Sequence, residues 1–266
     1  MLRFNVFPSP TSAVVLHRYE KSLFPEFATL FETPPPSFPL RHFARDPQEA
    51  SLALILENRS ENPITAWRFH WQMIDASGQS RSRTRSADSY AVDIFRPVAL
   101  PGSRHLISPS GSVSQASLNL ILSGSGFVAS RSATKGSLSD LVELTFEIQL
   151  IVFIDGEIAG PDPDDFAFEL QDRKLAAEFV AKQIRLARAE GRDVTPVLTA
   201  LAEAPALGRL ARQGDPLFHS VRYYTSSFLR HMHRKIGNLD MAEAKLRHLE
   251  SRPTLPNFYR RSAPAE

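Results

Sequence analysis

The sequence predicts an α+β protein, an antiparallel immunoglobulin-like β-sandwich followed by a C-terminal α-helical region. Three observations carry this. Apolar side chains recur at every second position between about residues 47 and 160, they recur at helical spacing between about 161 and 253, and turn formers punctuate the first stretch. A chain of 266 residues accommodates one large domain or two. Hydrophobic residues at 42% and charged residues at 23% suit a chain that buries a core.

Residues 1–46 read as a proline-rich N-terminal arm, because the prolines of FETPPPSFP (Phe31 to Pro39) hold the backbone near polyproline II and remove amide donors. Phe24, Phe27, Leu30 and Phe31 stand at helical spacing and pack the arm onto the body. Pro36-Ser37-Phe38-Pro39 matches the P-x-x-P pattern of SH3 ligands, although a plain linker is the stronger reading of so short a motif. SLALIL (Ser51 to Leu56) is a short strand, and the turn-rich ENRSENP (Glu57 to Pro63) leads to ITAWRFHWQMI (Ile64 to Ile74). There Trp67, Phe69, Trp71 and Met73 share one face and Arg68, His70 and Gln72 the other. These two strands are expected to be antiparallel neighbours. DASGQS forms the next turn. Further strands are expected at Tyr90 to Phe95, Arg104 to Ile107 and Gln115 to Leu122, with Pro101-Gly102 between two of them. Arg81, Arg83 and Arg85 alternate on an expected edge strand, where charge discourages pairing with other chains. Ser123 to Ser139 reads as a long surface loop. In Leu141 to Ile154 every even position from Val142 to Ile154 is apolar, which predicts a strand with one continuous inward face.

Glu57-Asn58-Arg59-Ser60-Glu61-Asn62-Pro63-Ile64, the alternating strand behind it, the Asp75-Ala76-Ser77-Gly78 turn and Leu100-Pro101-Gly102 together resemble bacterial immunoglobulin-like or fibronectin-like β-sandwich modules. The resemblance covers about residues 47–160 and departs from antibody domains in lacking a cysteine pair. It implies a sandwich that binds or spaces, and it implies no catalytic residues.

Beyond Gly160 the period is helical. Leu170 to Gly191 forms a helix with Leu175, Phe179 and Leu186 on one side, Ala176 and Gln183 near them, and Gly191 as its stop. Thr195-Pro196 is an N-cap and first-turn pair for a short helix through Leu201. Asp215-Pro216 opens a third, with Val221, Tyr224, Phe228, Met232 and Ile236 at threes and fours, and Asn238 or Asp240 caps a fourth with Met241, Leu246 and Leu249. Residues 254–266 read as a disordered tail.

Asp155, Asp162, Asp164 and Asp165 invite a calcium reading, since hard cations want clustered oxygens. An EF-hand loop starting at Asp162 fails, with Ala167 where glycine is needed and Arg173 where a bidentate Glu belongs. Asp155-Gly156 is better read as a hairpin turn pair, and Asp164 or Asp165 as the cap of the following helix. His231 and His233 project about 200° apart on a helix and cannot grip one ion. With Arg230, Arg234 and Lys235 they make a basic helix end, the candidate anion-binding residues of a second reading. Residues 215–266 carry nine Lys or Arg against five acids, which suits nucleic acid or an anionic surface but is the ordinary composition of a solvated face.

No nucleophile elbow, phosphate loop, H-E-x-x-H or dinucleotide fingerprint is present, and Glu143 and Glu147 stand about 13 Å apart along one strand, too far for paired-carboxylate work. The absence of cysteine excludes disulfides, thiolate zinc sites and cysteine nucleophiles. Thirty-one basic against 29 acidic side chains name no partner by charge. No signal-peptide core or spanning run is visible, so the compartment expected is cytoplasmic, or periplasmic or secreted if the start codon is misplaced. The expected function is a non-enzymatic binding or scaffolding protein, without cofactor, whose helices meet a protein partner or a second copy. An anion or nucleic-acid binder and a hydrolase with a dispersed site are the alternatives.

Overall fold

The computed structural model describes residues 2–32, 48–90, 97–109, 111–114, 138, 140–203, 221–223, 225–226, 229, 247, 250–251 and 253–260. The Pro36 to Pro39 motif, the strand expected at Gln115 to Leu122 and nearly all of that at Tyr90 to Phe95 and of the 123–139 loop lie outside the described residues. So do Arg230, His231, His233, Arg234 and Lys235. The chain divides into two compact units, one of Met1–Ala87, Val98–Phe153 and Ala159–Pro161, the other of Asp88–Pro97, Ile154–Ile158 and Asp162–Glu266.

The first unit is built on two sheets. In one, β4 (Ile64–Asp75) pairs antiparallel with β8 (Leu141–Phe153), from Ile64↔Phe153 to Asp75↔Leu141. β5 (Ser80–Asp88) lies beside β4, and β1 (Arg3–Val6) pairs parallel with the first half of β8. The other sheet is antiparallel, ordered β2 (Val14–Arg18), β3 (Leu54–Asn58), β6 (Arg104–Ser108) and β7 (Gly111–Ser114). Leu54, Leu56, Val14 and Ile107 from this sheet and Trp67, Phe69, Trp71, Met73, Leu144, Phe146 and Ile148 from the first share one apolar cluster. The aromatic rings set its thickness, with Trp71 and Phe146 centroids 4.5 Å apart and Trp67 and Phe69 5.1 Å apart.

Four expectations are corrected here. β3 and β4 are not paired neighbours but lie in different sheets, because the five residues between them cross the core edge. Asn58 fixes that crossing. Its fully buried Oδ1 accepts from Ser60 N–H (3.1 Å) and Ser60 Oγ (2.6 Å), while Nδ2 donates to the Asn62 and Ala99 carbonyls. Second, β8 does not keep one inward face. Leu144, Phe146 and Ile148 point into the cluster, but beyond a register shift at Gln149 it is Ile151 and Phe153 that do, and Val142 is exposed where Leu141 is buried. Third, the N-terminal segment is not an arm through residue 32. It supplies β1 and β2, then a 3₁₀ turn (Pro25–Phe27) and α1 (Thr29–Glu32). From these, Phe24, Phe27 and Leu30 pack on Ala53, Ile55, Leu106 and Val113, the opposite face of the second sheet. Residues read as the start of a strand at Ser51 instead end a helical turn, α2 (Glu49–Leu52).

The second unit centres on α3 (Phe166–Ala189) and α4 (Val194–Glu203). The acids before α3 explain its start. Asp162, in the left-handed region at φ 48°, offers Oδ1 to Phe166 N–H (2.8 Å) and Oδ2 to Ala167 N–H (2.9 Å), so one carboxylate satisfies two orphan donors. The cap is therefore Asp162 and not Asp164 or Asp165; Asp165 occupies the N-cap position without a side-chain bond. At the other end Gly191 (φ 67°) completes a Schellman turn, with Arg192 N–H on the Ala187 carbonyl and Gly191 N–H on that of Arg188. Asp193, two residues before the expected Thr195, accepts from Thr195 N–H at 3.0 Å at the start of α4.

Within the expected tail, the described residues as far as Arg260 are held in place, against expectation. Leu255 N–H donates to Glu178 Oε1 (3.0 Å), Phe258 packs on Tyr90 at 5.5 Å, Tyr259 N–H donates to the Gly156 carbonyl, and β10 (Tyr259–Arg260) pairs parallel with Glu157 and Ile158 of β9 (Glu157–Ala159). Gly156 is required by this closeness. It sits at φ 90°, and a Cβ there would lie 2.5 Å from the Asn257 carbonyl oxygen.

Candidate interaction surface

The clusters that could carry chemistry among the described residues have local roles. The four acids proposed for a metal are used singly: Asp155 Oδ1 accepts from Glu157 N–H in its turn, Asp162 caps α3, and Asp164 and Asp165 are exposed. Among the described residues no group of three or more His, Asp or Glu is placed to hold an ion.

A serine and a histidine do meet, at Ser103 and His105, with Oγ 3.3 Å from Nε2. Sequence reasoning passed over this pair because the two residues stand two apart at the start of a strand. Ser103 Oγ is also 2.6 Å from the Leu100 carbonyl, which can only accept, so the hydroxyl proton is spent there and Nε2–H donates to Oγ. That polarity is the reverse of what nucleophile activation needs. Burial also pushes His105 down to about 3, and its ring packs edge-on against Trp67 at 4.8 Å, as a core side chain does.

Glu57 gathers His17 Nε2 (3.2 Å), Arg59 (3.0 Å) and Arg104 (3.8 Å), and Arg104 extends to Glu26 and over the Phe24 ring. Burial would raise the Glu57 carboxyl, but hydrogen bonds from His17 and Arg59 and the nearby guanidinium charges outweigh it and hold the group below its usual range. A carboxylate so saturated with donors makes a poor general base and ties β2, β3 and β6 together. On β5, Arg83 and Arg85 both donate to the Pro109 carbonyl (3.2 and 3.3 Å), and burial followed, for Arg83, by its arginine neighbours lowers both guanidiniums. Inward-leaning charge on the last strand of a sheet is edge protection. In the second unit Arg173 bridges Asp88 (2.5 Å) and Glu169. Burial opposes its charge, and the two carboxylates more than compensate.

What no local role absorbs is the outer face of α3. Its inner face is small: Ala176, Ala177, Ala181 and Ala187, with Val180 and Ile184, pack with Val194, Leu198 and Leu201 of α4. Alanine contributes little apolar area but lets helices approach closely, and all four are fully buried. Phe166 and Leu170 are buried as well, but three large apolar residues point the other way. Phe168 is 61% exposed, Leu175 36% and Leu186 43%; Phe179, at the same angle, is partly buried and packs against the inner cluster. At 100° per residue these four positions fall within an arc of roughly 40°, along about 27 Å of helix. The sequence placed Leu175, Phe179 and Leu186 on one side correctly; that this side faces outward follows from the alanines, whose packing value hydropathy does not register. Tyr223, in the next described helical turn, is 62% exposed.

Comparison with family models, with curated proteins and with solved structures found no match to this chain. Among the described residues no helix is long and apolar enough to cross a membrane.

Proposed function

We propose that this is a non-enzymatic binding or scaffolding protein, in which an immunoglobulin-like β-sandwich is the framework and the helical region meets a protein partner. The observation that carries the reading is the apolar outer face of α3, where Phe168, Leu175 and Leu186 are exposed. At 36–61% exposure these side chains forgo only part of the roughly 1.5–3 kcal/mol that full burial of each is worth, and a partner recovers that part. Support also comes from the polar clusters, whose donors and acceptors are committed to turns, caps and strand ties.

The test is a photo-crosslinking phenylalanine analogue placed at Leu175 in the full chain and irradiated in its host cell. A defined protein adduct is expected. The reading fails if no adduct forms, or if a panel of ester, phosphoester, glycoside and peptide substrates reveals turnover that one polar point substitution abolishes.

A further inference from the structure

We propose that the outer face of the sheet formed by β1, β8 and β4 carries a binding site for a neutral polyhydroxylated ligand, one or two sugar rings of a saccharide, seated beside Phe7. The site belongs wholly to the first unit and does not rest on the α3 reading.

Strand register assembles it. Gln72 of β4 stands opposite Thr145 of β8, and Thr145 stands opposite Asn5 of β1, so an amide, a hydroxyl and a second amide form one row across three neighbouring strands. At about 4.8 Å between strands the row is roughly 10 Å long, the reach of one or two sugar rings. Phe4 and Val6 of β1 pack against the core, which turns Asn5 and Phe7 outward. Trp71 and Met73 do the same for Gln72, and Leu144 and Phe146 for Thr145. Thr145 has the shortest side chain of the row. It forms the floor of a cleft of about 410 Å³ lined by Asn5, Val6, Phe7, Gln72, Glu143 and Thr145.

The lining selects the ligand by its chemistry. Amides and a hydroxyl both donate and accept, and a sugar offers both at each of its hydroxyl oxygens. Of the row's side chains only the Asn5 amide is engaged among the described residues, its Nδ2 donating to Glu143 Oε1 (3.2 Å), so the Gln72 amide and the Thr145 hydroxyl are left for a ligand. That bond, with Arg3 Nη1 3.9 Å from Oε2, orients the Glu143 carboxylate. A carboxylate has about four lone-pair sites, so Glu143 keeps room to accept from ligand hydroxyls. Its charge disfavours a phosphate or sulfate, and a wholly apolar ligand would leave the row of amides and hydroxyl unpaired. Phe7, 53% exposed, offers the electron-rich face of its ring to the C–H side of a sugar.

The experiment is saturation-transfer NMR on the full chain with maltose, cellobiose, lactose and diacetylchitobiose as probes, followed by titration of backbone amide shifts. Binding of at least one is expected, with a dissociation constant of about 1 mM or tighter. Gln72→Ala, Thr145→Val and Phe7→Ala each weaken it about fivefold or more. Far-UV circular dichroism stays unchanged, because Gln72 and Phe7 are exposed and valine suits the strand position of Thr145. No transfer to any of these sugars overturns the inference. So does binding that survives Gln72→Ala and Thr145→Val combined, which puts the sugar elsewhere on the chain. Binding of glucosamine but not of glucose, abolished by Glu143→Gln, also overturns it and makes the cleft a site for an organic cation. None of these outcomes bears on α3.

Discussion

Asp162 and His105 stand at the two extremes of what a buried polar residue does for this fold. The Asp162 carboxylate holds two backbone N–H groups at the start of α3 and tolerates its left-handed backbone. Asp162→Ala removes both bonds, and a loss of about 1–2 kcal/mol in denaturant unfolding is expected, with Asp162→Asn losing less. His105 works in the opposite sense. Its folded value of about 3 lies below the unfolded value of 6.5, so between those two the unfolded chain takes up a proton that the folded chain refuses. Stability therefore falls as pH drops from 6.5 toward 3, by up to about 1.4 kcal/mol per pH unit. His105→Gln should flatten that slope in urea melts while changing little above pH 7; a variant as acid-sensitive as the wild type would contradict the assignment. Asn58 was visible in the sequence only as part of a turn-rich segment. That both its oxygen and its nitrogen are consumed in steering the chain from one sheet to the other depends on Ala99, far away in sequence.

At the scale of elements, the period-two runs identified β4 and β8 and the period change identified α3, since alternation and helical spacing are local properties. What those runs could not give was partners and facing. β4 and β8 pair across a sequence gap of more than sixty residues, and nothing within β3 says that it belongs with β2 and β6. The bulge near Gln149 was illegible because Leu150 and Val152 are as apolar as Ile151 and Phe153, so the alternation offered no contrast there. Opposite that bulge, just past the end of β9, the chain places Gly160. At φ 109°, a Cβ on Gly160 would sit 2.5 Å from the Gln149 carbonyl oxygen. Gly160→Ala should cost about 2 kcal/mol or more in thermal or chemical unfolding, from backbone strain and overlap together. An unchanged melting temperature would refute the close approach.

For the whole molecule, the two ends of the chain are structural where composition suggested loose ends. β1 and β2 are legible only once the sheets they join are known, because strands of four and five residues leave weak patterns. The final described stretch, residues 253–260, has prolines or small polar residues at four of its eight positions, yet it ties Glu178, Tyr90 and Gly156 within the second unit. A chain stopped after Ser251 loses these ties together with the contact of Lys174 Nζ to Asn257 Oδ1 (3.3 Å), and a lowered melting temperature is expected. The central claim, though, concerns which way α3 faces, and the absence of native cysteine makes it directly measurable. Single cysteines at Leu175 and at Ala181 would be alkylated under native conditions over a range of protein concentrations. The account predicts that Leu175→Cys reacts fast while Ala181→Cys is slow throughout. Fast reaction at 181 with protection of 175 at every dilution would turn the helix around and contradict it.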